Sequence, residues 1–384
     1  MEAVKLPGRF AISTGFGIGD SVVSDISPVI VAIDDGYHSC KVVTRDRQAC
    51  LPTAVSRASR LTARAMSGPS VSNERCYEIE GCVYAVGSNV LDPIHTRFAE
   101  FPYSAANLAV AMDALRRVLA PGTEAHVVTD VPFNWFYAAN GQKRNSDLAR
   151  KVSAWGRNVR EVSGAVLPRI VSVDVVPEAV AAWFDFVIGR DLQLNSQRYA
   201  EYTAVVDIGG RTTDVAVVKD GEVDLRQSGT LDVGTLELAG VVRRVVEDQF
   251  PGAPGRSCTF VETAIHHGVV RIGGREIDIR GSLEKTKSDL LDRIADYLAG
   301  LYGRSMHDIR HVLFVGGGSA LLEMPLRRRF QRAEFADEPQ MANARGLWKF
   351  KAYSAAQRQE RAPGNLSPAA DETRIAGSHS ATIG

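Results

Sequence analysis

The stretch Asp207-Ile208-Gly209-Gly210-Arg211-Thr212-Thr213-Asp214 lies between two apolar runs, residues 204–206 and 215–218. Short apolar runs on either side of a glycine turn predict two buried, paired strands. Glycine lets the backbone of such a turn approach a ligand closely, so that its N–H groups can surround a phosphate. The stretch therefore predicts a strand–turn–strand unit that binds phosphate, with the hydroxyls of Thr212 and Thr213 as further donors.

A second unit of the same kind begins earlier in the chain. Residues 29–33 are apolar, Asp34-Asp35-Gly36 follows them, and residues 40–43 predict the returning strand. Because a carboxylate repels phosphate, the first acidic residue of each turn, Asp34 or Asp207, is expected to hold Mg²⁺ or its coordinated water. One Asp-x-Gly turn is an ordinary turn signal, but two copies predict a phosphate held between two lobes.

A third glycine cluster follows a third apolar strand. Residues 311–315 predict a buried strand, Gly316-Gly317-Gly318 follows, and Ser319 opens a predicted helix. A strand, a glycine cluster and a helix N-terminus allow a nucleotide to lie against bare backbone; the alternative is a flexible loop. The sequence has no GxxxxGK[ST] motif, which excludes a P-loop enzyme.

In this order, the three glycine clusters resemble those of the actin-like ATPases, the superfamily of actin, the heat-shock chaperone ATPases and the sugar kinases. Within it the chain is most similar to the ParM/StbA plasmid-segregation actins. Four stretches between residues 29 and 353 carry that resemblance: Ile33-Asp34-Asp35-Gly36 with the later Lys41, Val176-Pro177-Glu178-Ala179, residues 207–214, and Val315-Gly316-Gly317-Gly318-Ser319-Ala320. The implied fold class is α/β, an actin-like fold with two ribonuclease-H-like domains and a nucleotide cleft between them.

The resemblance implies a site for ATP, or GTP, with Mg²⁺. Glu178 and Asp207 are the implied catalytic residues, and Asp34 and Asp207 the metal ligands. The residues expected to contact the nucleotide are Asp35, Gly36, Lys41, Gly209, Gly210, Arg211, Thr212, Thr213, Gly316, Gly317 and Gly318.

Two of these residues have simpler alternative roles. Glu178 precedes a predicted helix over residues 179–187, where a carboxylate also stabilises the helix dipole. Lys41 could be an exposed lysine on a strand.

The chain departs from the family pattern at three turn positions. Tyr37 and His38 stand where the best-known members carry small hydroxyl residues, and Arg211 stands where a small or hydroxyl residue is common.

Composition narrows the class of protein. The chain has 384 residues, enough for two domains, and a formal net charge of zero, which argues against a nucleic-acid binder that works through a whole-protein positive field. Its five cysteines include no C-x-x-C pair, so neither a disulfide framework nor a zinc site is indicated and a reducing cytoplasm is expected. No apolar run reaches the length of a membrane span, and no signal peptide is predicted.

The predicted organisation has four parts. Residues 1–28 form a flexible N-terminal extension, 29–175 the first domain, 176–340 the second, and 354–384 a disordered polar tail. Part of the last predicted helix, residues 341–353, is expected to pack back on the first domain. The other predicted helices span residues 105–119, 236–250 and 283–301, and the other predicted hairpins lie at residues 77–86, 214–229 and 269–279.

The resemblance predicts an ATPase that polymerises into dynamic filaments in a nucleotide-dependent way and segregates plasmid DNA. Its partners would be further copies of itself and a centromere-binding adaptor of the ParR type, so that it touches DNA only indirectly. The alternatives are a non-polymerising ATPase or small-molecule kinase of the same fold, and a scaffold that binds nucleotide without turnover.

Overall fold

The computed structural model describes residues 12–15, 27–57, 75–90, 92–252, 256–303 and 308–360. Two sheets form the centres of two lobes. The sheet of lobe I has the order β1-β10-β8-β2-β3-β4 and consists of β1 (Ile12–Gly15), β2 (Val29–Asp35), β3 (Ser39–Val43), β4 (Gln48–Pro52), β8 (Glu124–Val131) and β10 (Arg169–Pro177). The sheet of lobe II has the order β13-β12-β11-β17-β18 and consists of β11 (Thr203–Ile208), β12 (Thr213–Lys219), β13 (Glu222–Val223), β17 (His311–Val315) and β18 (Ala333–Phe335), with β14 (Gly229–Leu231) on β12.

The two sheets repeat one plan. In each, the first long strand pairs antiparallel with the strand that follows its glycine turn, β2 with β3 and β11 with β12. On its other side it pairs parallel with a later strand, β2 with β8 and β11 with β17. A further parallel strand follows in both, β10 beside β8 and β18 beside β17. The α/β, actin-like class with two similar units is thereby confirmed.

Eleven helices lie in the described residues. They are α1 (Ala105–Val118), α2 (Phe133–Phe136), α3 (Asn145–Trp155), α4 (Val180–Val187), α5 (Ser196–Ala200), α6 (Leu236–Gln249), α7 (Cys258–His267), α8 (Arg280–Tyr302), α9 (Gly317–Leu321), α10 (Glu323–Arg329) and α11 (Ala342–Glu360). Two short 3-10 turns lie at Phe101–Tyr103 and Pro339–Met341.

Each lobe carries a smaller β unit. A four-stranded sheet of order β5-β7-β6-β9 joins lobe I, and a hairpin of β15 and β16 joins lobe II beside α6, α7 and α8. Their strands are β5 (Val55–Arg57), β6 (Arg75–Ile79), β7 (Cys82–Val86), β9 (Val159–Glu161), β15 (Val269–Ile272) and β16 (Arg275–Asp278).

Helices α4 and α11 lie between the two sheets and connect them. One buried cluster includes Ala32 of β2, Val205 of β11, Trp183 and Phe184 of α4, and Phe350 of α11. Full burial of an apolar side chain the size of Val205 or Phe184 contributes roughly 1.5–3 kcal/mol of transfer free energy. The shared core fixes the base of the cleft between the lobes.

The predicted hairpins at residues 77–86 and 269–279 and the helices near 105–119, 236–250 and 283–301 are present, within a few residues at each end. Two terminal predictions need correction. Strand β1 pairs with β10, so part of the supposed flexible extension belongs to the sheet. Helix α11 continues seven residues past Tyr353 to Glu360, into the segment expected to be disordered. Residues 1–11, 16–26 and 361–384 lie outside the described residues.

The sequence analysis missed α3 and α7. It also placed the start of the helix after the third glycine cluster two residues too late, since α9 begins at Gly317. No helix in the described ranges is long and apolar enough to cross a membrane.

Candidate functional site

A cleft of about 630 Å³ opens between the lobes. It lies at the carboxyl ends of β2, β11 and β17, where ligands bind in α/β sheets. Of the predicted site residues, those that line the cleft are Asp34, Gly36, Lys41, Glu178, Asp207, Gly209, Gly210, Arg211, Thr212, Gly316, Gly317 and Gly318. Three separate glycine clusters and five charged side chains therefore meet in one cavity.

Turn I, residues 34–38 between β2 and β3, contains an internal ion pair. Asp34 and Lys41 are register partners on the two strands, and Lys41 Nζ lies 3.1 Å from Asp34 Oδ2. Burial raises the pKa of Asp34, while the Lys41 ammonium opposes that rise. Burial would lower the pKa of Lys41, but the Asp34 carboxylate reverses the effect and raises it. Lys41 is therefore a nearly buried, charged lysine at the cleft wall, which rules out the exposed-strand alternative.

Asp35 does not belong to the cleft, contrary to the prediction. Its Oδ2 lies 2.6 Å from Nζ of the fully buried Lys151, and its Oδ1 accepts a hydrogen bond of 2.9 Å from Thr129. Successive side chains of a strand point to opposite faces, so Asp34 and its neighbour cannot both face the cleft. Asp35 instead ties β2 to β8 and α3 inside lobe I.

Turn II, residues 207–214 at the facing ends of β11 and β12, presents a carboxylate with no cation in contact among the described residues. Asp207 is 4% exposed, and its Oδ2 accepts a 2.6 Å hydrogen bond from Asn343 Nδ2. Burial, together with the charges of Asp34 and Asp214, raises the pKa of Asp207 to about 7. Asp207 is thus a buried carboxyl group whose ionised form has no cation in contact among the described residues.

The two threonines of turn II have different surroundings. Thr212 lines the cleft, as predicted. Thr213 is fully buried and its hydroxyl donates to the Val233 carbonyl at 2.9 Å, so its predicted contact with phosphate is wrong. The hydroxyl of Thr213 secures the loop after β14 to turn II instead.

Glu178 reaches the cleft from the end of β10. Its N–H donates to the Val131 carbonyl at 2.8 Å, and Ala179 then takes a left-handed conformation with φ of 64° before α4 begins at Val180. Glu178 therefore lies outside the helix and does not cap it, which removes the helix-capping alternative. Burial, followed by the negative charge of Asp214, raises the pKa of Glu178 well above its usual range.

The third glycine cluster closes the cleft behind turn II. A Cβ on Gly316, whose φ is 84°, would lie 2.2 Å from Asp207 Oδ1 and 2.5 Å from the Ile208 carbonyl oxygen. A Cβ on Gly318 would lie 2.4 Å from a methyl carbon of Ile208. Only glycine fits at these positions, because β17 and β11 approach each other there without side chains between them.

Several site residues escaped the sequence analysis. Asn343 lines the cleft from α11, 136 residues away from its partner Asp207, and no local motif signals it. Asp214, the last acid of the quoted turn stretch, accepts hydrogen bonds from the Phe133 N–H at 2.7 Å and from Thr230 at 2.5 Å. Gly234 supports turn II, since a Cβ there would lie 2.4 Å from the Gly210 carbonyl oxygen. The run Asp232-Val233-Gly234-Thr235 before α6 was the available signal for it.

The donor set fits a divalent cation that arrives with phosphates. Among the described residues, no group of three or more His, Cys, Asp or Glu side chains is arranged to hold a metal by itself. Magnesium usually takes one or two protein carboxylates and completes its shell with phosphate and water. Asp207 offers such a carboxylate, and the buried Asn343 Oδ1 beside it has no hydrogen-bond partner among the described residues. The cavity is therefore compatible with a magnesium–phosphate ligand.

The fold and this cleft define an actin-fold protein with matching glycine turns on its two lobes. Residues 29–187 match the family model "Plasmid segregation protein ParM, N-terminal", and residues 205–328 match "Archaeal actin homologue MreB-like, C-terminal". Together the two matches support a ParM-like protein of the actin fold. A search of curated proteins gave no match.

Solved structures support the fold. A non-polymerisable quadruple mutant of pCBH ParM is 20% identical with a TM-score of 0.68, over 85% of this chain and 99% of that chain. A subunit of a 15-stranded ParM filament from Clostridium botulinum is 18% identical with a TM-score of 0.63, over 85% and 99%. The ADP complex of Ta0583, an archaeal actin homolog, is 18% identical with a TM-score of 0.62, over 86% and 99%.

Proposed function

We propose that this protein is an ATPase that binds Mg²⁺ and ATP, or GTP, between its lobes and assembles into nucleotide-dependent filaments that segregate plasmid DNA in the cytoplasm. The observation that carries the proposal is the convergence of turn I, turn II and the third glycine cluster on one cleft that also holds Lys41, Glu178 and Asp207. The ADP complex of the structurally similar archaeal actin homolog supports a nucleotide as the ligand.

The glycine turns and Lys41 would hold the phosphates. At Gly36, Gly209 and Gly210 the backbone reaches the cleft without an intervening side chain, so its N–H groups can donate to phosphate oxygens. Lys41 adds a cation at the cleft wall, where burial strengthens its attraction for phosphate. A bound Mg²⁺ would neutralise part of the phosphate charge, with Asp207 and Asp34 as the carboxylates available to its water shell.

Glu178 is the proposed base. Burial raises the pKa of Glu178 well above its usual range, which makes its carboxylate a stronger base than that of an exposed glutamate for orienting a water molecule and accepting its proton. Phosphoryl transfer requires mainly positioning and charge stabilisation, so a base that acts late is sufficient. Asp207 would act beside it by fixing the cation and the phosphates.

Filament formation is proposed from the family and from the solved ParM filament of similar fold. The formal net charge of zero is compatible with a chain that leaves DNA contact to a ParR-type, centromere-binding adaptor. A filament that weakens upon hydrolysis would then move the adaptor and its plasmid.

The test is right-angle light scattering after addition of Mg-ATP, with phosphate release followed in parallel. Scattering that rises and then decays as phosphate appears supports the proposal. Phosphate release without scattering, at all protein and salt concentrations tried, would indicate the non-polymerising ATPase or kinase instead. Binding without phosphate release would indicate the scaffold.

Glu178→Gln tests the catalytic assignment in the same assay. We expect phosphate release to fall at least about 100-fold, because a positioned base contributes on the order of 10²–10⁴, while nucleotide binding persists. Glu276→Gln, on the exposed hairpin of lobe II, is the matched control and should keep the wild-type rate. Unchanged turnover in Glu178→Gln would remove the residue from the mechanism.

A further inference from the structure

Three residues of the two turns depart from the family pattern, and they lie close together across the cleft. Tyr37 and His38 belong to turn I, and Arg211 belongs to turn II. A Cβ on Gly210 would lie 2.8 Å from His38 Cβ, so the turns approach each other closely at this point. The large side chains therefore occupy the boundary between the lobes.

Arg211 is held from both lobes. On its own lobe, Nε lies 3.0 Å from Asp232 Oδ1. Across the cleft, Nη1 donates a 3.2 Å hydrogen bond to Tyr37 Oη. The guanidinium carbon also lies 5.3 Å from the centre of the Tyr37 ring and 5.9 Å from that of Trp135, both of lobe I. With a side chain only 14% exposed, Arg211 makes desolvated cation–π contacts, the stronger kind.

Tyr37 links this contact to the surroundings of Glu178, the proposed base. Its ring is 6% exposed and packs 5.9 Å from the ring of Phe101. Burial is the main cause that raises the pKa of the Tyr37 phenol; the guanidinium of Arg211 opposes the rise and the charge of Glu178 adds to it. Tyr37 therefore keeps its proton, and its hydroxyl lies within the electrostatic influence of Glu178.

We infer that Arg211 is a positioning residue that fixes the closed arrangement of the two turns through Tyr37. Asp232 anchors Arg211 on lobe II, and Arg211 holds Tyr37, and with it turn I, against turn II, so that Lys41 and Glu178 line one cleft. We call this contact the Arg211–Tyr37 clasp. It rests on the proposed function and adds how the site is closed, because side chains of the protein join the two turns in addition to any bound nucleotide. Holding catalytic groups in one geometry in this way lowers the entropy cost of the reaction.

Hydrogen exchange of the turn amides in nucleotide-free protein tests the clasp directly. Residues joined in one contact give non-additive effects in a double-mutant cycle. We expect Arg211→Gln and Tyr37→Leu each to accelerate exchange in both turns about 10-fold, and the double variant to exchange no faster than the faster single one. Arg190→Gln, an exposed arginine outside the cleft, is the control and should exchange as wild type does. Additive effects, or acceleration confined to the turn that carries the substitution, would overturn the inference.

Tyr37→Phe covers the case in which Tyr37→Leu does not fold. It keeps the ring and removes the hydroxyl that accepts from Arg211, so we expect a smaller acceleration, about 3-fold. An Arg211→Gln effect of the same size in wild type and in Tyr37→Phe would contradict the clasp.

Dissociation of a fluorescent ATP analogue separates the clasp from direct phosphate binding by Arg211. Arg211→Gln should accelerate dissociation about 10-fold in wild type and clearly less in the Tyr37→Phe background. An undiminished effect would mean that Arg211 binds the nucleotide itself, and the inference fails. If the wild-type protein binds no nucleotide yet exchange in the two turns is coupled, the proposed function fails while the clasp stands.

Discussion

Turn I and turn II have the same place in the same kind of sheet, but they balance their charge differently. In turn I, Asp34 has a cation of its own, since Lys41 lies opposite it in register at 3.1 Å. In turn II, Asp207 has only the neutral Asn343 as its hydrogen-bond partner, and its pKa rises to about 7. The carboxylate of turn I has a cation in contact, whereas the cation of turn II, Arg211, pairs with Asp232 and not with Asp207.

This difference assigns separate roles to two turns that look alike in sequence. A buried carboxylate without a cation is costly and attracts a proton or a metal ion. Under the proposed function, turn II is therefore the turn that would gain most from a divalent cation, whereas turn I would offer Lys41 to the phosphates. The remaining expectations test this division, beginning with the largest effect.

The strongest expected effect concerns the glycine behind turn II. In Gly316→Ala, the new Cβ would meet Asp207 Oδ1 at 2.2 Å, and the φ of 84° disfavours any side chain. We expect a loss of about 4 kcal/mol in the free energy of unfolding, or failure to fold. Gly317→Ala is the matched control, because its nearest neighbour would lie 3.9 Å away. Urea unfolding measures the stability of both variants. Equal stability would show that a side chain at position 316 does not collide with Asp207 and the backbone of turn II.

Removing the internal cation of turn I should make it resemble turn II. Lys41→Met leaves Asp34 buried and unpaired, which typically costs about 3 kcal/mol when one partner of a buried pair is lost. The double variant Lys41→Met, Asp34→Asn removes both charges and should recover most of that stability. Thermal and urea unfolding of the three proteins provide the comparison. If Asp34→Asn gives no recovery in the Lys41→Met background, the ion pair is not what neutralises turn I.

A smaller effect is the pH dependence of the nucleotide-free protein. Because the folded-state pKa of Asp207, about 7, lies above the ordinary aspartate value of 3.8, folding favours the protonated form. This contribution is complete below pH 3.8 and is lost as the pH rises through about 7. Between pH 5 and pH 8 we expect wild type to lose about 2 kcal/mol more of its unfolding free energy than Asp207→Asn does. Urea unfolding measures the unfolding free energy of both proteins across this pH range. If it changes equally with pH in the two, folding does not raise the pKa of Asp207.

The sequence predicted the turns because their signals are local. The apolar strand, the acid and the glycine all lie within a few residues, whereas the role of Lys41 came from the family resemblance and its register opposite Asp34 from the structure. The same reasoning failed for Asp35 and Thr213, because it did not apply the alternation of side chains along each strand. Asp35 and Thr213 each stand next to a residue that lines the cleft, Asp34 or Thr212, and their own side chains face the lobe interior.

What lies far apart in the chain was not predictable in this way. Asn343 reaches Asp207 only because α11 packs between the lobes, and that packing depends on the approach of α11 to α4. A Cβ on Gly346 of α11 would lie 1.7 Å from the Ala181 carbonyl oxygen, so the contact needs a glycine that looks unremarkable within a helix. The contact between Arg211 and Tyr37 joins residues 174 positions apart and has no sequence signal either.

The division between the turns is tested most directly by calorimetric titration of ADP into wild type, Asp34→Asn and Asp207→Asn, with and without Mg²⁺. The account predicts that Mg²⁺ strengthens ADP binding to wild type and to Asp34→Asn, and that this magnesium-dependent gain disappears in Asp207→Asn. A gain that survives in Asp207→Asn and is lost in Asp34→Asn would place the cation at turn I and contradict the account.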